Sequence, residues 1–313
     1  GVQTCALPIY PWKWPIEGAD ATAYRVAEPT GDTESKMTAS TPGTLAATFD
    51  AEIFGARSLF SRSLEADSAL AILPFVRSKI VQAFVDAGGY GQDKWWAGLA
   101  ARPEAEPARW SEPNAPRETV SWYEATAFCR WLDAQFRDQG LLPAGWRVSL
   151  PTEEQWERAA RGTDGREYPW EGEFRSGLAN IDQTWGDAGP CNLGRTSPVG
   201  IYPDGQAPSG ALDMAGNVWE WCRNEFDKPE SLADEGYSSR VVRGGSWFNG
   251  SVFCPAAFRS WYSPDDRNYF LGFRVCCSPH IDPFPVGAVP PCMAGCRAID
   301  GVCSIARRSR LAR

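Results

Sequence analysis

Histidine is almost absent from this sequence: His280 is the single one among 313 residues. A three-histidine metal site and the HExxH motif are therefore excluded for this chain, and so is a Ser-His or Cys-His pair unless His280 serves in it. The phosphate-binding GxGxxG and Walker motifs are missing, as is the GxSxG nucleophile motif. The sequence thus lacks the usual signatures of nucleotide-binding enzymes and serine hydrolases.

Long apolar runs and zinc-ribbon spacings are missing too. No run approaches the roughly 18–20 residues of a membrane span, and none of the ten cysteines forms a CxxC pair. The formal net charge is −8, which argues against a basic face for nucleic acid. We expect neither a membrane span nor a nucleic-acid partner. Near the C-terminus, Cys292, Cys296 and Cys303 fit a small metal or disulfide knot, or an unstructured tail.

Both ends of the chain differ from its middle. Residues 1–9, GVQTCALPI, resemble the translation of a sequencing-adapter oligonucleotide, an artefact that would leave the true N-terminus missing. Residues 10–75 have weak periodicity and are left unassigned, in part as a linker. Residues 279–313 are proline-rich and then basic, which predicts a flexible tail. The organised domain is predicted over residues 76–278.

Helix signals precede strand signals in this domain. Ser121-x-x-Glu124 and Thr152-x-x-Gln155 are capping boxes, and each is followed by apolar residues at helical spacing. Over residues 163–275 short apolar runs are separated by Gly, Pro, Asn and Asp, a pattern typical of short strands. The order predicts an α+β fold in which two or three helices pack on short, irregular antiparallel strands.

An ordered set of motifs carries a family resemblance. In chain order they are VSWYEA from residue 120, LPTEEQWERAARG from 150, GALDMAGNVWEWC from 210, RGGSW from 243 and GFRV from 272. Together they resemble the formylglycine-generating-enzyme (sulfatase-modifying-factor) superfamily, whose core is a C-type-lectin-like fold. The resemblance covers roughly residues 76–278 and implies that fold here.

The superfamily contains enzymes and binding proteins, so the site residues must decide between them. Its copper-dependent oxidases hold the metal with two cysteines five residues apart after the RGGS motif. Here Cys254 occupies the second position and Asn249 the first, whereas a soft Cu(I) site needs two thiolates. Another branch uses three histidines on iron. The sequence therefore predicts a binding protein and not an enzyme, with a formylglycine-generating-type oxidase or related sulfatase-modifying enzyme as the alternative. A second alternative is an interaction module of a larger signalling protein.

Residues 243–275 resemble the variable region of target proteins diversified by diversity-generating retroelements. In those systems, error-prone copying of template adenines changes selected codons, often AAC, between fixed framework residues. The resemblance implies a ligand-binding surface made of the positions whose residues altered AAC codons can give: Phe248, Asn249, Gly250, Val252, Phe253, Phe258, Ser260, Tyr262, Ser263, Asp265, Asp266, Asn268, Tyr269 and Phe270.

The composition of this stretch is typical of a protein-binding loop, because rigid aromatics lie beside small polar residues. We expect Phe248, Phe253, Tyr262, Tyr269 and Phe270 to be exposed. The implied partner is a protein or other macromolecular ligand, in a bacterial or phage protein that is cytoplasmic or at the cell surface. The alternative is an aromatic-rich loop that packs on a core strand and binds nothing.

The resemblance also implies structural calcium. Asn180, the carbonyl of Ile181, Asn217 and Glu220 match positions where family members bind this ion through oxygen ligands. The alternative is that Asn217 and Glu220 hydrogen-bond the turn between strands. No other cofactor is expected.

Charged residues beside the motifs have structural explanations. Arg243, Arg259 and Arg274 are expected to be charge-paired and to brace the loop scaffold. The glutamates within residues 153–157 lie in the first turns of a predicted helix, where the helix dipole favours them, and a solvated face is expected.

Overall fold

Four α-helices and seven strands form the part of the chain that the computed structural model describes, residues 71–279 apart from 113 and 143. The helices are α1 (Ser78–Asp86), α2 (Asp93–Trp96), α3 (Trp122–Asp138) and α4 (Glu153–Arg161). The strands are β1 (Ala71–Phe75), β2 (Trp146–Ser149), β3 (Trp219–Glu225), β4 (Arg240–Arg243), β5 (Ser260–Tyr262), β6 (Leu271–Gly272) and β7 (Arg274–Pro279). The predicted α+β class is confirmed.

The strands form two small sheets. One has the order β1-β7-β2 and is antiparallel throughout. The other has the order β5-β4-β3-β6, in which only the β3–β6 pair is parallel. The chain leaves the second sheet at Gly272 and enters the first at Arg274, so that Phe273 lies between them. Its ring is fully buried and packs edge-on against Phe128 of α3, with the ring centroids 5.5 Å apart.

Both predicted capping boxes are confirmed. Glu124 N–H donates to the Ser121 hydroxyl at 3.2 Å, and the Glu124 carboxylate accepts from Ser121 N–H at 2.8 Å. Thr152 and Gln155 exchange the same two bonds at the start of α4. These reciprocal bonds satisfy N–H groups that have no partner within the helix, so both helix starts follow from local sequence.

Strand β1 lies upstream of residue 76, where the domain is predicted to begin. Its sequence, AILPF, has no polar alternation and contains Pro74, which argues against a central strand. The structure places β1 at the edge of its sheet, where a proline is tolerated. A short apolar run of this kind does not by itself distinguish a strand from a buried helical segment.

The predictions for residues 1–70 and for the tail from residue 280, with Cys292, Cys296 and Cys303, lie outside the described residues. Among the residues that are described, no helix has both the length and the apolar character needed to cross a membrane.

A buried ion pair joins the two sheets. Arg274 of β7 and Glu220 of β3 are both fully buried, and Arg274 Nη2 donates to Glu220 Oε1 at 2.7 Å. The other carboxylate oxygen accepts from Arg274 Nε and from the indole N–H of Trp156 in α4. Removal of one partner of such a pair leaves an uncompensated buried charge, at a typical cost of about 3–5 kcal/mol. The pair therefore fixes β3, β7 and α4 relative to one another.

Asp213 lies beside this ion pair. Its backbone is in the left-handed region, with φ of 55°, and its Oδ2 accepts a hydrogen bond of 2.6 Å from Gly200 N–H. Burial raises the pKa of the Asp213 carboxyl to about 6. Because the folded-state pKa lies above the unfolded value, the contribution of Asp213 to stability is full below about pH 4 and is lost as the pH rises through about 6.

Asp213→Asn is expected to remove this part of the pH dependence. Asparagine keeps a side-chain acceptor and tolerates a left-handed backbone, but it carries no charge. In urea unfolding, the variant should match the wild type near pH 4 and exceed it by up to about 3 kcal/mol above pH 7. Asp164→Asn is the control, since Asp164 is exposed and should show no such gain. An equal difference from the wild type at both pH values would contradict the assignment.

Candidate functional site

Glycines and buried aromatics hold both ends of the region between β4 and β7. Gly244 and Gly245 have φ of 95° and 75°, which side chains other than glycine rarely adopt. A Cβ at Gly245 would also lie 3.1 Å from the carbonyl oxygen of Phe253. Trp247 follows and is 7% exposed, and the other end is closed by the fully buried Phe273. The region between them is thus anchored at two packed ends.

The framework arginines are charge-paired, as predicted. Arg243 is fully buried, bonds the Glu157 carboxylate and donates to the carbonyl of Phe258 at 2.7 Å. Arg259 Nη2 donates to Glu153 Oε2 at 2.8 Å.

The expectation of a solvated face for the glutamates of α4 is wrong for Glu153, which is 6% exposed. The reason is a contact between residues that are distant in sequence, since Arg259 and Arg243 both form ion pairs with Glu153. Glu153 therefore neutralises these arginines beneath the loop instead of facing water.

Aromatic rings cover one side of the region. We call this set the aromatic face, and it consists of Trp110, Trp247, Phe248, Tyr262, Tyr269 and Phe270. Tyr269 stacks on Trp247 with centroids 5.7 Å apart, and Phe248 stacks on Phe270 at 5.6 Å. Trp110 meets Trp247 edge-on at 5.6 Å. Phe248 is 49% exposed, so the rings support one another while one edge stays open to solvent.

Charged groups border the aromatic face. The guanidinium of Arg109 lies 4.7 Å from the centroid of the Tyr269 ring, and that of Arg195 lies 5.7 Å from the centroid of a Trp110 ring. The fully buried carboxyl of Glu118 accepts a 3.1 Å hydrogen bond from Trp110 N–H, and burial raises the pKa of Glu118. The face thus combines aromatic surface with a cationic edge and a carboxyl group behind it.

Trp110 and Arg109 were not singled out by the sequence. They lie in a polar, proline-containing segment outside every motif, and they reach Trp247 and Tyr269 across more than a hundred residues. An isolated tryptophan in such a segment is the one local signal that points to a packing role.

All of the predicted variable positions except Gly250 are half-buried or exposed. They are the face residues Phe248, Tyr262, Tyr269 and Phe270, together with Asn249, Val252, Phe253, Phe258, Ser260, Ser263, Asp265, Asp266 and Asn268. Gly250 is buried, and a Cβ there would lie 2.7 Å from the carbonyl oxygen of Trp185, so packing fixes this position. Phe253 and Phe258 belong to a separate cluster around Trp219. Their role in binding stays a prediction.

Of the five aromatics expected to be exposed, only Phe248 is exposed, and Phe253, Tyr262, Tyr269 and Phe270 are half-buried. None of Phe248, Phe253, Tyr262, Tyr269 and Phe270 is buried, whereas Trp247, Phe273 and Val275 are. However, Phe253 lies with Trp219 and Trp185 and has no ring contact with the aromatic face among the described residues.

Asn249 and Cys254 do not fit a Cu(I) pair. The Asn249 amide oxygen accepts from Trp219 Nε1 at 2.8 Å and from the Ser246 hydroxyl at 2.6 Å, so it acts as a turn-fixing acceptor. Burial raises the pKa of the Cys254 thiol to about 12, which disfavours a thiolate. Two thiolates are what a soft Cu(I) site requires, and this pair supplies neither readily.

The residues predicted for calcium are only partly brought together. Asn180 Nδ2 donates to Asn217 Oδ1 at 3.3 Å, and Asn180 Oδ1 is buried with no hydrogen-bond partner among the described residues. The carboxylate of Glu220 is instead occupied by Arg274 and Trp156. Asn217 also exchanges two hydrogen bonds with the backbone of Ser197. Calcium at these residues stays a prediction.

Comparison with known proteins places this geometry in a family. The family model described as sulfatase-modifying factor enzyme 1-like domain matches residues 71–279. A hercynine oxygenase from Mycolicibacterium thermoresistibile is 32% identical over 239 residues, which cover 62% of this chain and 47% of that protein. The chain thus spans about half the length of this curated relative.

Two further similarities are of the same kind. A formylglycine-generating enzyme from Streptomyces coelicolor is 36% identical over 204 residues, covering 58% of this chain and 60% of that protein. Treponema denticola variable protein 1, a solved structure, aligns with a TM-score of 0.46 and 23% identity over 67% of this chain and 84% of that one. The predicted C-type-lectin-like fold of the formylglycine-generating type is confirmed by the family match.

The expectation that the chain is not an enzyme is wrong. The curated relatives just described are a hercynine oxygenase and a formylglycine-generating enzyme, and both names denote enzymes. The expectation rested on the metal ligands of two branches, the thiolate missing at Asn249 and the histidines missing from the chain. The lack of one branch's ligands excludes that branch's metal site, but it does not exclude catalysis.

Proposed function

We propose, because the chain belongs to the sulfatase-modifying factor enzyme 1-like family, that it acts in an oxidising enzyme of the formylglycine-generating or hercynine oxygenase kind. In this proposal the aromatic face binds the substrate. The observation that carries it is the half-open stack of Phe248 on Phe270 beside the cationic Arg109. Names of relatives point to the reaction class, and this surface points to the place where an organic substrate binds.

The chemistry of the face favours one class of substrate. Stacked aromatic rings with one exposed edge attract an apolar or unsaturated group. The Arg109 guanidinium at the border of the face is exposed and suits a carboxylate. An amino-acid-derived molecule or a peptide segment combines both groups, and this is the substrate class that we propose.

No metal is assigned to Asn249 and Cys254 in this proposal, because these residues do not fit a Cu(I) pair. The residues described here would bind and orient the substrate and exclude water from it. Trp247, which is nearly buried and donates from its indole N–H to the carbonyl of Tyr269 at 3.3 Å, would keep the face in place.

Binding and turnover of two probes test the proposal: hercynine, and a cysteine-containing sulfatase peptide. We expect at least one to quench tryptophan fluorescence and to be consumed with oxygen uptake. Phe248→Ser should lower kcat/KM by at least about tenfold, because aromatic anchors usually dominate such interfaces. The matched control is Val252→Ser, an exposed residue outside the aromatic face, which should change kcat/KM little. Failure of both probes to bind, or equal effects of the two variants, would contradict the proposal.

A second candidate is a recognition surface that a diversity-generating retroelement varies between copies of the scaffold. The division of burial supports it: residues 243–247 and 271–278 are buried, whereas the predicted variable positions between them, apart from Gly250, are accessible. Such a surface changes its ligand without changing its fold, and it is compatible with an enzymatic ancestor.

The genomic neighbourhood tests the second candidate. We expect a near-copy of the codons for residues 247–271 beside a reverse-transcriptase gene, with differences confined to adenines of the template. The codons for residues 120–162 serve as the internal control and should have no such copy. Differences spread over all four bases, or the lack of any copy in the complete genome, would overturn it.

A further inference from the structure

A cavity of about 400 Å³ lies between α3, β2 and β3, and it shares no lining residue with the aromatic face. Its charged lining residues are Arg130, Asp133, Arg137, Arg147, Arg223 and Asp234. Four guanidinium groups thus face two carboxylates, in a chain whose formal net charge is −8. The stability of the fold alone does not require such a local excess of positive charge in an acidic protein.

Two of the four arginines are neutralised within the protein. Arg137 Nε donates to Asp133 Oδ2 at 2.6 Å, and its Nη2 donates to the carbonyl of Trp146 at 2.7 Å. Arg130 donates to Asp234 Oδ2 at 3.0 Å and to the carbonyl of Ala97 at 2.7 Å. These two side chains form part of the wall.

The other two arginines are left with little counter-charge. Arg223 lies 3.6 Å from Asp234, a carboxylate that Arg130 already engages, and it donates to the carbonyl of Leu232 at 3.2 Å. The side chain of Arg147 has no hydrogen bond or ion pair with any residue in the described part of the chain, although the residue is half-buried. Burial and the neighbouring charge of Arg223 lower the pKa of Arg147, as expected where two cations lie close together.

Thr126 of α3 belongs to the same lining. Its Oγ1 is buried, with almost no accessible surface, and has no hydrogen-bond partner among the described residues. The groups that the cavity offers to an oxyanion are therefore the guanidinium groups of Arg147 and Arg223.

We propose that this cavity binds a phosphate-class oxyanion, either inorganic phosphate or the phosphoryl group of a small metabolite, through Arg147 and Arg223. Guanidinium groups match the geometry of phosphate oxygens, and the four arginines of the lining exceed its two carboxylates by two charges, which suits a dianion. The cavity volume lies within the roughly 300–1,000 Å³ of small-molecule sites, so a phosphoryl group with a small organic part fits.

Calorimetric titration of the full chain with inorganic phosphate, ribose 5-phosphate and ribose tests this proposal. We expect both phosphate compounds to bind and ribose not to bind. Tighter binding of ribose 5-phosphate would identify a phosphorylated metabolite as the ligand, and equal binding would identify free phosphate. Lack of heat from either phosphate compound up to about 10 mM would overturn the proposal.

Variants place the binding in this cavity. Arg147→Gln should raise the Kd for phosphate by at least about tenfold, since it removes one of two ionic contacts. Arg223→Gln should raise the Kd by a similar factor, since it removes the other ionic contact. The matched control is Arg175→Gln, an exposed arginine outside the cavity, with an unchanged Kd. Thermal melts verify folding, and if Arg147→Gln does not fold then Arg223→Gln decides. Unchanged affinity in folded cavity variants, or an equal loss in the control, would contradict the site.

Discussion

The ion pair between Glu220 and Arg274 is the contact on which the candidate site depends. In the second sheet, Glu220 is paired in register with Arg243 on one side and with Gly272 on the other. Those two residues are where the region that carries the aromatic face begins and ends. Because Arg274 lies two residues after Gly272, with Phe273 between them, the buried carboxylate also ties that region to the first sheet. Desolvation offsets much of the attraction in such a pair, so its main effect is on geometry.

Charge pairing extends outward from this centre. Arg243 and Arg259 reach α4, where Glu153 and Glu157 accept from them. Between residues 248 and 270, Gly250, Cys254, Ala256 and Pro264 are buried, and the other residues are half-buried or exposed. A binding surface needs such a fixed backbone beneath its contacts.

Local signals predict the parts of the fold that local physics determines. The capping boxes at Ser121 and Thr152 and the left-handed glycines at 244 and 245 are of this kind. Contacts between distant residues decide the rest. Trp110 becomes part of the aromatic face only because the fold brings it next to Trp247. The position of β1 at the edge of its sheet is what allows a strand there despite Pro74.

One residue type can have two uses that the sequence alone does not separate. Asn249 is one of the predicted variable positions, yet its amide oxygen fixes a turn through Trp219 and Ser246. Gly250 belongs to the residue set that adenine changes produce, but close packing against Trp185 requires a glycine there. Composition cannot separate these uses, whereas hydrogen bonds and the space around each Cβ can.

Comparing two sets of variants in urea unfolding tests most directly whether a rigid scaffold carries an aromatic face whose side chains can be exchanged. Phe248→Ser and Asp265→Ser, at exposed positions, should each change the free energy of unfolding by less than about 1 kcal/mol. Trp247→Ala and Phe273→Ala, at buried positions, should each cost roughly 3–5 kcal/mol. Equal destabilisation by both sets would mean that the aromatic face is ordinary core, and it would contradict a surface built for binding.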